Sequence, residues 1–332
     1  MNFALGNLAS MLHLPRPAAP WEVWVFRVYA ELLIGVLVAA AAVLLFFGRV
    51  LHRDVRSVWV TYRSWLVMIL CALAAVELGR VAVITLMTLM AAVGFKEFAR
   101  ATGLYRDWWM TGAVYLAIVA VAIVAIVPDP NNGRLGWYGL FMTMPAYAVA
   151  LLIAIPILRN RPQGQLQAMA LAIVGFIYIG WMFMHLALLA DRANPYGYLL
   201  YLVFAVEIND VAAFTFGRLL GKSGRHPFRS GISPKRSWEG AIGAFVVSMA
   251  LPWALRFSFP QFGTLQLILT GLIVGIGGQF GDLAISVIKR DVGVKDMGAL
   301  IPGHGGMLDR IDSLIYTAPL FMHMVDYFYK QW

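Results

Sequence analysis

Residues 264–290 read TLQLILTGLIVGIGGQFGDLAISVIKR, with no ionisable side chain from Thr264 to Gly281, then one carboxylate, Asp282, before the apolar character resumes up to Lys289. A helix needs about 20 consecutive apolar residues to cross the ~30 Å hydrocarbon core of a bilayer. Whether this stretch is such a span or a buried helix of a soluble core decides the fold, and the rest of the chain answers. Similar runs recur near 24–47, 64–78, 81–95, 108–127, 137–158, 168–190, 197–220, 240–259 and 311–329. Of 332 residues, 61% are hydrophobic and only 13% charged, and the mean hydropathy is +0.75; one soluble core could not enclose so many such runs. The expected fold is all-α: a polytopic integral membrane protein of about ten transmembrane helices, or nine if 64–95 is one broken helix.

Runs 64–78 and 81–95 are short and are separated by Glu77, Gly79 and Arg80. Loop charge arbitrates between one helix and two. Connections 48–63, 96–107, 159–167, 218–239 and 289–310 are rich in Lys and Arg, whereas 128–136, 191–196 and 260–263 are not, and the positive-inside rule puts the first set in the cytoplasm. An even number of crossings must then separate 48–63 from 96–107, so a hairpin is expected and both termini fall outside the cytoplasm. The first 22 residues lack the pattern of a cleaved signal peptide, so insertion by the chain's own first helix is expected. Trp21, Trp24, Trp108, Trp109, Trp137, Tyr138, Tyr196 and Tyr198 collect near span ends, as an interfacial aromatic belt requires. The single cysteine, Cys71, lies in an apolar run and reads as a buried structural thiol; it excludes a disulfide or a Cys-based zinc site within the chain. No fixed-period repeat, low-complexity tract or soluble domain is visible. The expected organisation is a helical membrane region over 1–195 and a catalytic membrane region over 196–332, with its motif loops in the cytoplasm.

Charges inside spans are costly, roughly 2.5–3.5 kcal/mol at the centre on insertion scales, and normally face a partner or a wet cavity. Asp210 sits in the middle of the seventh run with Glu207 one turn before it. Asp210 reads as functional, the bland alternative being an ion pair with Arg218; for Glu207 the two readings balance. If the ninth run stays helical past Gly281, then Asp282, Ser286, Lys289 and Gly293 line one face. Gly271, Gly275, Gly277 and Gly278 read as small-residue helix packing, while Gly281 would also let another backbone approach.

The loop GRLLGKSGRHPFRSGISPKRSWEG carries Arg218, Lys222, Arg225, Arg229, Lys235 and Arg236 against Glu239. Topology alone selects such charge, but Ser233 followed by Pro234 reads as an N-cap with proline at the first helical position. Free N–H groups beside Lys235 and Arg236 would make a phosphate site. Residues 286–312, SVIKRDVGVKDMGALIPGHGGMLDRID, carry the densest chemistry. Lys289, Arg290 and Lys295 supply phosphate-compensating charge, and Asp296, Asp309 and Asp312 supply hard oxygens of the kind Mg²⁺ takes when it also binds substrate phosphates. PGHGG between them can turn tightly. A solvated charged loop is the bland reading, and it leaves unexplained why the patch meets spans that bury Asp210 and Asp282.

Ser286, Ile288, Lys289, Arg290, Lys295, Asp296, Gly298, Ile301, Pro302, His304, Gly305, Gly306, Met307, Asp309, Arg310, Ile311 and Asp312, in this spacing, resemble the signature of the phosphatidate cytidylyltransferases, or CDP-diacylglycerol synthases. Asp210 and Ala213, Gly217–Arg218, Gly221–Lys222, and Ser233–Pro234–Lys235 with Ser237, Glu239 and Gly240 are similar to the same family, and the resemblance covers roughly 195–320. It implies transfer of CMP from CTP to phosphatidic acid or a related lipid phosphate, giving CDP-diacylglycerol and pyrophosphate with Mg²⁺ and room for a second cation. It further implies Asp282, Asp309 and, more weakly, Asp312 as metal ligands. Lys289, Arg290 and Arg310 would act with Asp309 in catalysis, Ser286 would meet phosphate or the lipid head, and Ser233, Lys235 and Arg236 the nucleotide. Lys295, His304, Arg218 and Lys222 complete the expected substrate-binding set. The expected setting is a bacterial inner membrane with the site at its cytoplasmic face, membrane lipids as neighbours, a homodimer allowed and no nucleic-acid partner.

Two departures leave the lipid acceptor open: Ala213–Phe214 stands where the family has Ala–Tyr, and the loop from Lys222 to Ser233, with His226 and Pro227, is longer than usual. A CTP-dependent lipid or polyprenol kinase is the second reading, and a transporter with buried carboxylates the third. The kinase is disfavoured by the completeness of the signature, and the transporter by the absence of paired broken helices in two halves.

Overall fold

The computed structural model describes residues 20–192, 194–221, 226–234 and 236–329; Lys222 and Lys235, and the reading of the first residues, lie outside that set. Among the described residues ten long helices follow one another: α1 (Trp24–Val50), α2 (Arg56–Leu78), α3 (Arg80–Ala101), α4 (Trp108–Ile126), α5 (Tyr138–Leu158), α6 (Gln165–Leu189), α7 (Pro195–Leu219), α8 (Trp238–Ala254), α9 (Thr264–Asp291) and α10 (Leu308–Tyr329). Eight are long and apolar enough to cross a membrane. The other two are α8, at 17 residues, and α10, which carries Asp309, Arg310, Asp312 and Asp326. Among the described residues there is no strand beyond two isolated bridges, Pro227 with Ser237 and Ile301 with Gly305. The chain is an all-α polytopic membrane protein.

The break between α2 and α3 falls at Gly79, whose φ of 100° suits a residue without Cβ. It is a hairpin. Near the start of α2, Ser64 donates to the Pro302 carbonyl at 2.7 Å, and near the end of α3, Glu97 accepts from the Leu308 amide at 2.8 Å, so the two helices run antiparallel from the same loop. Helix α2 begins earlier than its apolar run, at Arg56, so Arg56 and Arg63 lie on the helix and the basic connection before it is shorter than expected.

The loops sort to two ends. At the motif end, loop 292–307 meets α2 and α3, and the connection before α4 meets the one after α5 through Arg159 and Asp107, 2.8 Å apart. At the far end, Arg80 pairs with Asp191 and donates to the last carbonyls of α4, Ala125 at 2.6 Å and Ile126 at 3.0 Å, where a cation also complements the helix dipole. Burial pushes the Asp191 carboxyl up to about 6, against the opposing pull of Arg80. Arg192 pairs with Asp326 at 2.9 Å, both buried, which makes Asp326 a structural carboxylate. Aromatic rings consolidate this end: Phe259 stacks on Phe262 at 4.4 Å and meets Tyr201 at 4.6 Å.

Glycines set the helix separations. A Cβ on Gly271 would lie 2.9 Å from Met249, one on Gly275 3.1 Å from Phe245, and one on Gly277 3.2 Å from Thr317, as small-residue packing expects. Two local expectations fail. Cys71 is exposed because α2 is a peripheral helix with only 6% of its apolar window buried, so its apolar run faces outward. Tyr198 is fully buried because its hydroxyl accepts from Gln261 at 2.6 Å inside the aromatic cluster, away from any interfacial belt.

Candidate functional site

At the motif end, a cavity of about 1240 Å³ opens between α2, α7, α8, α9 and α10, lined by Glu207, Asp210, Asp282, Asp309 and Asp312 together with Arg218, Arg236 and Arg310. Two glycine contacts bring these side chains together. Gly281 on α9 lies against α10 so tightly that a Cβ would sit 2.5 Å from the Asp312 carbonyl oxygen and 2.7 Å from Ser313 Cα, and the Ser313 hydroxyl donates to the Gly278 carbonyl at 2.9 Å. Asp282 and Asp312 are thereby neighbours. On the other side, a Cβ on Gly240 would lie 2.5 Å from the Ala213 carbonyl oxygen, so α8 presses on α7 and faces Asp210.

Helix α9 does continue past Gly281, to Asp291, and the expected stripe is real from Asp282 to Lys289. Lys289 Nζ lies 2.9 Å from Asp309 Oδ1. The other oxygen of Asp309 accepts from the amides of Met297 at 3.0 Å and Gly306 at 3.1 Å, so this carboxylate closes loop 297–306 onto the first turn of α10. Asp282 pairs with Arg236. The ion pair considered for Asp210 does not form: Arg218 sits over the Phe214 ring at 4.6 Å, and Asp210 Oδ1 is buried without a hydrogen-bond partner. Asp210, Asp282 and Asp312 line the same cavity, with Arg236 and Arg310 among them. Arg310 Nε is also buried and unpartnered.

Other expected residues stand around this centre. Ser286 is buried on α9 and is not part of the cavity wall. Arg290 is exposed and donates to the Ile232 carbonyl at 3.1 Å, tying the α7–α8 loop to α9. Lys295 and Asp296 are exposed in loop 292–307. His304 meets the edge of Trp65 at 5.6 Å, and burial, with the nearby Arg310, holds its imidazole below the ordinary range.

The N-cap expected at Ser233 is corrected. Helix α8 starts at Trp238 with Ser237 as its cap, the hydroxyl accepting from the Gly240 amide at 3.2 Å. The intervening residues are used otherwise: Phe228 N–H donates to the Arg236 carbonyl at 2.9 Å and Trp238 N–H to the His226 carbonyl at 3.0 Å. That pairing holds 236–238 extended and delays the helix by one turn. Ser237 and Pro234 line the cavity, so the positive end of α8 still serves it, with a different serine.

Glu97 escaped the sequence reading. It is buried near the end of α3 and accepts from the amides of Met307 at 3.0 Å and Leu308 at 2.8 Å, capping α10 from another helix. Flanked by Lys96 and Arg100, it looks like any span-end charge. The one available signal is indirect: Gly298 and Gly306 leave it room, since a Cβ on either would lie 2.2 Å or 2.5 Å from its oxygens.

Five carboxylates against three guanidiniums on the cavity wall, one carboxylate oxygen being buried and unpartnered, fit a hard cation. Among the described residues no three such side chains form a closed metal cage. Mg²⁺ bound with a polyphosphate needs none, because it takes one or two carboxylates and completes its shell with waters and substrate oxygens.

A family model described as the cytidylyltransferase family matches residues 59–328, from α2 to α10 and so including Glu97. A protein of Escherichia coli (strain K12) designated uncharacterized protein YnbB is 30% identical over 285 residues, covering 84% of this chain and 91% of its own length. Phosphatidate cytidylyltransferases of Staphylococcus haemolyticus (strain JCSC1435) and Staphylococcus aureus (strain COL) are 35% identical over 205 residues and 34% over 207. Those two matches cover 60% and 61% of this chain, and 75% and 76% of the relatives.

Proposed function

Since the chain belongs to the cytidylyltransferase family and is a nucleotidyltransferase, we propose that it transfers CMP from CTP to phosphatidic acid, giving CDP-diacylglycerol and pyrophosphate. The carrying observation is the cavity itself. It joins a charged floor to apolar walls that include Val211 and Phe214, exposed by 57% and 61% on the outer face of α7, where the acyl chains of a lipid would lie. The polar mouth at the motif end would receive the nucleotide. The Lys- and Arg-rich loops gathered there support a cytoplasmic placement, in the inner membrane of a bacterium.

An oxygen of the lipid phosphate attacks the α-phosphorus of CTP, a P–O bond forms, and the bond to the β-phosphate oxygen breaks, with its electron pair leaving on pyrophosphate. A phosphate monoester is already anionic, so no strong base is required. Arg236, Arg310 and Arg218 neutralise and align the two anions, and the N-terminus of α8 behind Ser237 offers amide donors to a phosphate. Asp282 and Asp312, brought together by the Gly281 contact, would hold Mg²⁺, with Arg236 released from Asp282 to the substrate; Asp210 lines the same cavity. Asp309, with Lys289, borders the same site and is the further candidate ligand. When bound, the cation would supply charge neutralisation of the triphosphate.

Purified protein supplied with phosphatidic acid, Mg²⁺ and CTP labelled at the α- or γ-phosphorus tests this. Label from the α position should enter the lipid. Entry of γ label would replace the proposal with a CTP-dependent kinase, and a panel of other lipid phosphates identifies the preferred acceptor.

A further inference from the structure

A second recess at the motif end, of about 420 Å³, lies between the α3–α4 connection and the start of α6, and shares no lining residue with the catalytic cavity. Its wall carries three guanidiniums, Arg106, Arg159 and Arg161, and one carboxylate, Asp107. That carboxylate is already engaged: it accepts from Arg159 at 2.9 and 2.8 Å and from the Trp109 and Met110 amides at the start of α4. Arg106 and Arg161 have no ion pair among the described residues. Positive charge on a loop at this end can be explained by topology. An unpartnered acceptor beside it cannot. Gln165 is 7% exposed, its Nε2 donates to the Gln163 carbonyl at 3.3 Å, and its Oε1 is buried in this wall with no partner.

The recess borders an apolar outer surface. Trp108, in the recess wall, is 66% exposed, and Leu158 and Leu166, next in sequence to the lining residues Arg159 and Gln165, are 82% and 79% exposed, which puts apolar outer surface beside the recess in a membrane protein. Free guanidiniums call for a phosphate. A free amide oxygen calls for a hydroxyl donor on the same ligand, and the exposed leucines call for acyl chains.

The geometry points to a non-catalytic binding site for an anionic glycerophospholipid whose headgroup carries a free hydroxyl, seated with its phosphodiester on Arg106 and Arg161, its hydroxyl on Gln165 and its chains along Leu158 and Leu166. The site is independent of the catalytic reading, because no residue serves both.

The test uses full-length protein in phosphatidylcholine nanodiscs doped with phosphatidylglycerol, or with phosphatidylmethanol, which keeps the phosphodiester and lacks the hydroxyl. Lipid retained per protein is counted by native mass spectrometry after release. Phosphatidylglycerol should be retained over phosphatidylcholine, and each of Arg106→Gln and Arg161→Gln should weaken that retention roughly fivefold while turnover of CTP with phosphatidic acid in phosphatidylcholine nanodiscs free of phosphatidylglycerol stays unchanged. Gln165→Ala should abolish the advantage of phosphatidylglycerol over phosphatidylmethanol and leave the charge-dependent part intact. Equal retention by wild type and a variant carrying both Arg106→Gln and Arg161→Gln overturns the site. Displacement of the lipid by millimolar glycerol 3-phosphate would reassign it to a soluble phosphate.

Discussion

Asp282 and Asp309 illustrate how two carboxylates on one cavity wall can carry different loads. Among the described residues Asp282 pairs with Arg236 alone, across the opening, whereas Asp309 also fastens loop 297–306 by two amide contacts. Asn at either position keeps the shape and removes the charge. Both Asp282→Asn and Asp309→Asn should therefore lower turnover by on the order of 10²-fold or more. Only Asp309→Asn should also cost about 1–3 kcal/mol of stability, because in either orientation its amide NH₂ would face donors, the two backbone N–H groups or the Lys289 ammonium. Turnover at saturating Mg²⁺ and thermal unfolding in detergent separate the two, and wild-type rates in both variants would remove them from the chemistry. Asp326 is the contrasting case. Paired with buried Arg192 at the far end, it should, as Asp326→Asn, leave the activity of the folded enzyme intact while destabilising it by about 3–5 kcal/mol, the usual effect of breaking a buried pair; a melting temperature equal to wild type would show the pair to be idle.

Elements meet at the site through contacts that tolerate no extra atom or lost acceptor. Glu97→Ala strips α10 of an acceptor for the Met307 and Leu308 amides and should cost about 1–3 kcal/mol. It should also depress turnover, since Asp309, Arg310 and Asp312 ride on that first turn; normal kinetics in a destabilised protein would confine Glu97 to stability. Gly281→Ala would force α9 from the Asp312 backbone, with an overpacking cost of about 1–3 kcal/mol and a loss of activity greater than Gly271→Ala produces, because Gly271 meets α8 away from the cavity. Comparable activities would mean the site adapts. The helices themselves, and the run of the stripe from Asp282 to Lys289, were legible because hydropathy and helical period are local properties. Glu97 was not, because its partners lie 210 positions along the chain. The start of α8 was misplaced for a similar reason: Ser233–Pro234 is a sound local cap signal, and only the pairing of 226–228 with 236–238 moves the cap to Ser237.

For the molecule as a whole, sorting of loops to two ends makes topology directly measurable. In a Cys71→Ser background, Gln163→Cys and Asp291→Cys should react with a thiol reagent only after it reaches the cytoplasm, and Asn131→Cys with an impermeant reagent added outside; reversed labelling would turn the enzyme over in its membrane. The capping of α10 by Glu97 also bears on biogenesis. The catalytic loop acquires its shape only when α3 meets α10, a helix made well after it, so a chain still tethered to the ribosome before α10 has emerged holds its earlier helices and no working site. Activity thus reports completed assembly, and an insertion defect as remote as the α2–α3 hairpin would surface as a catalytic phenotype.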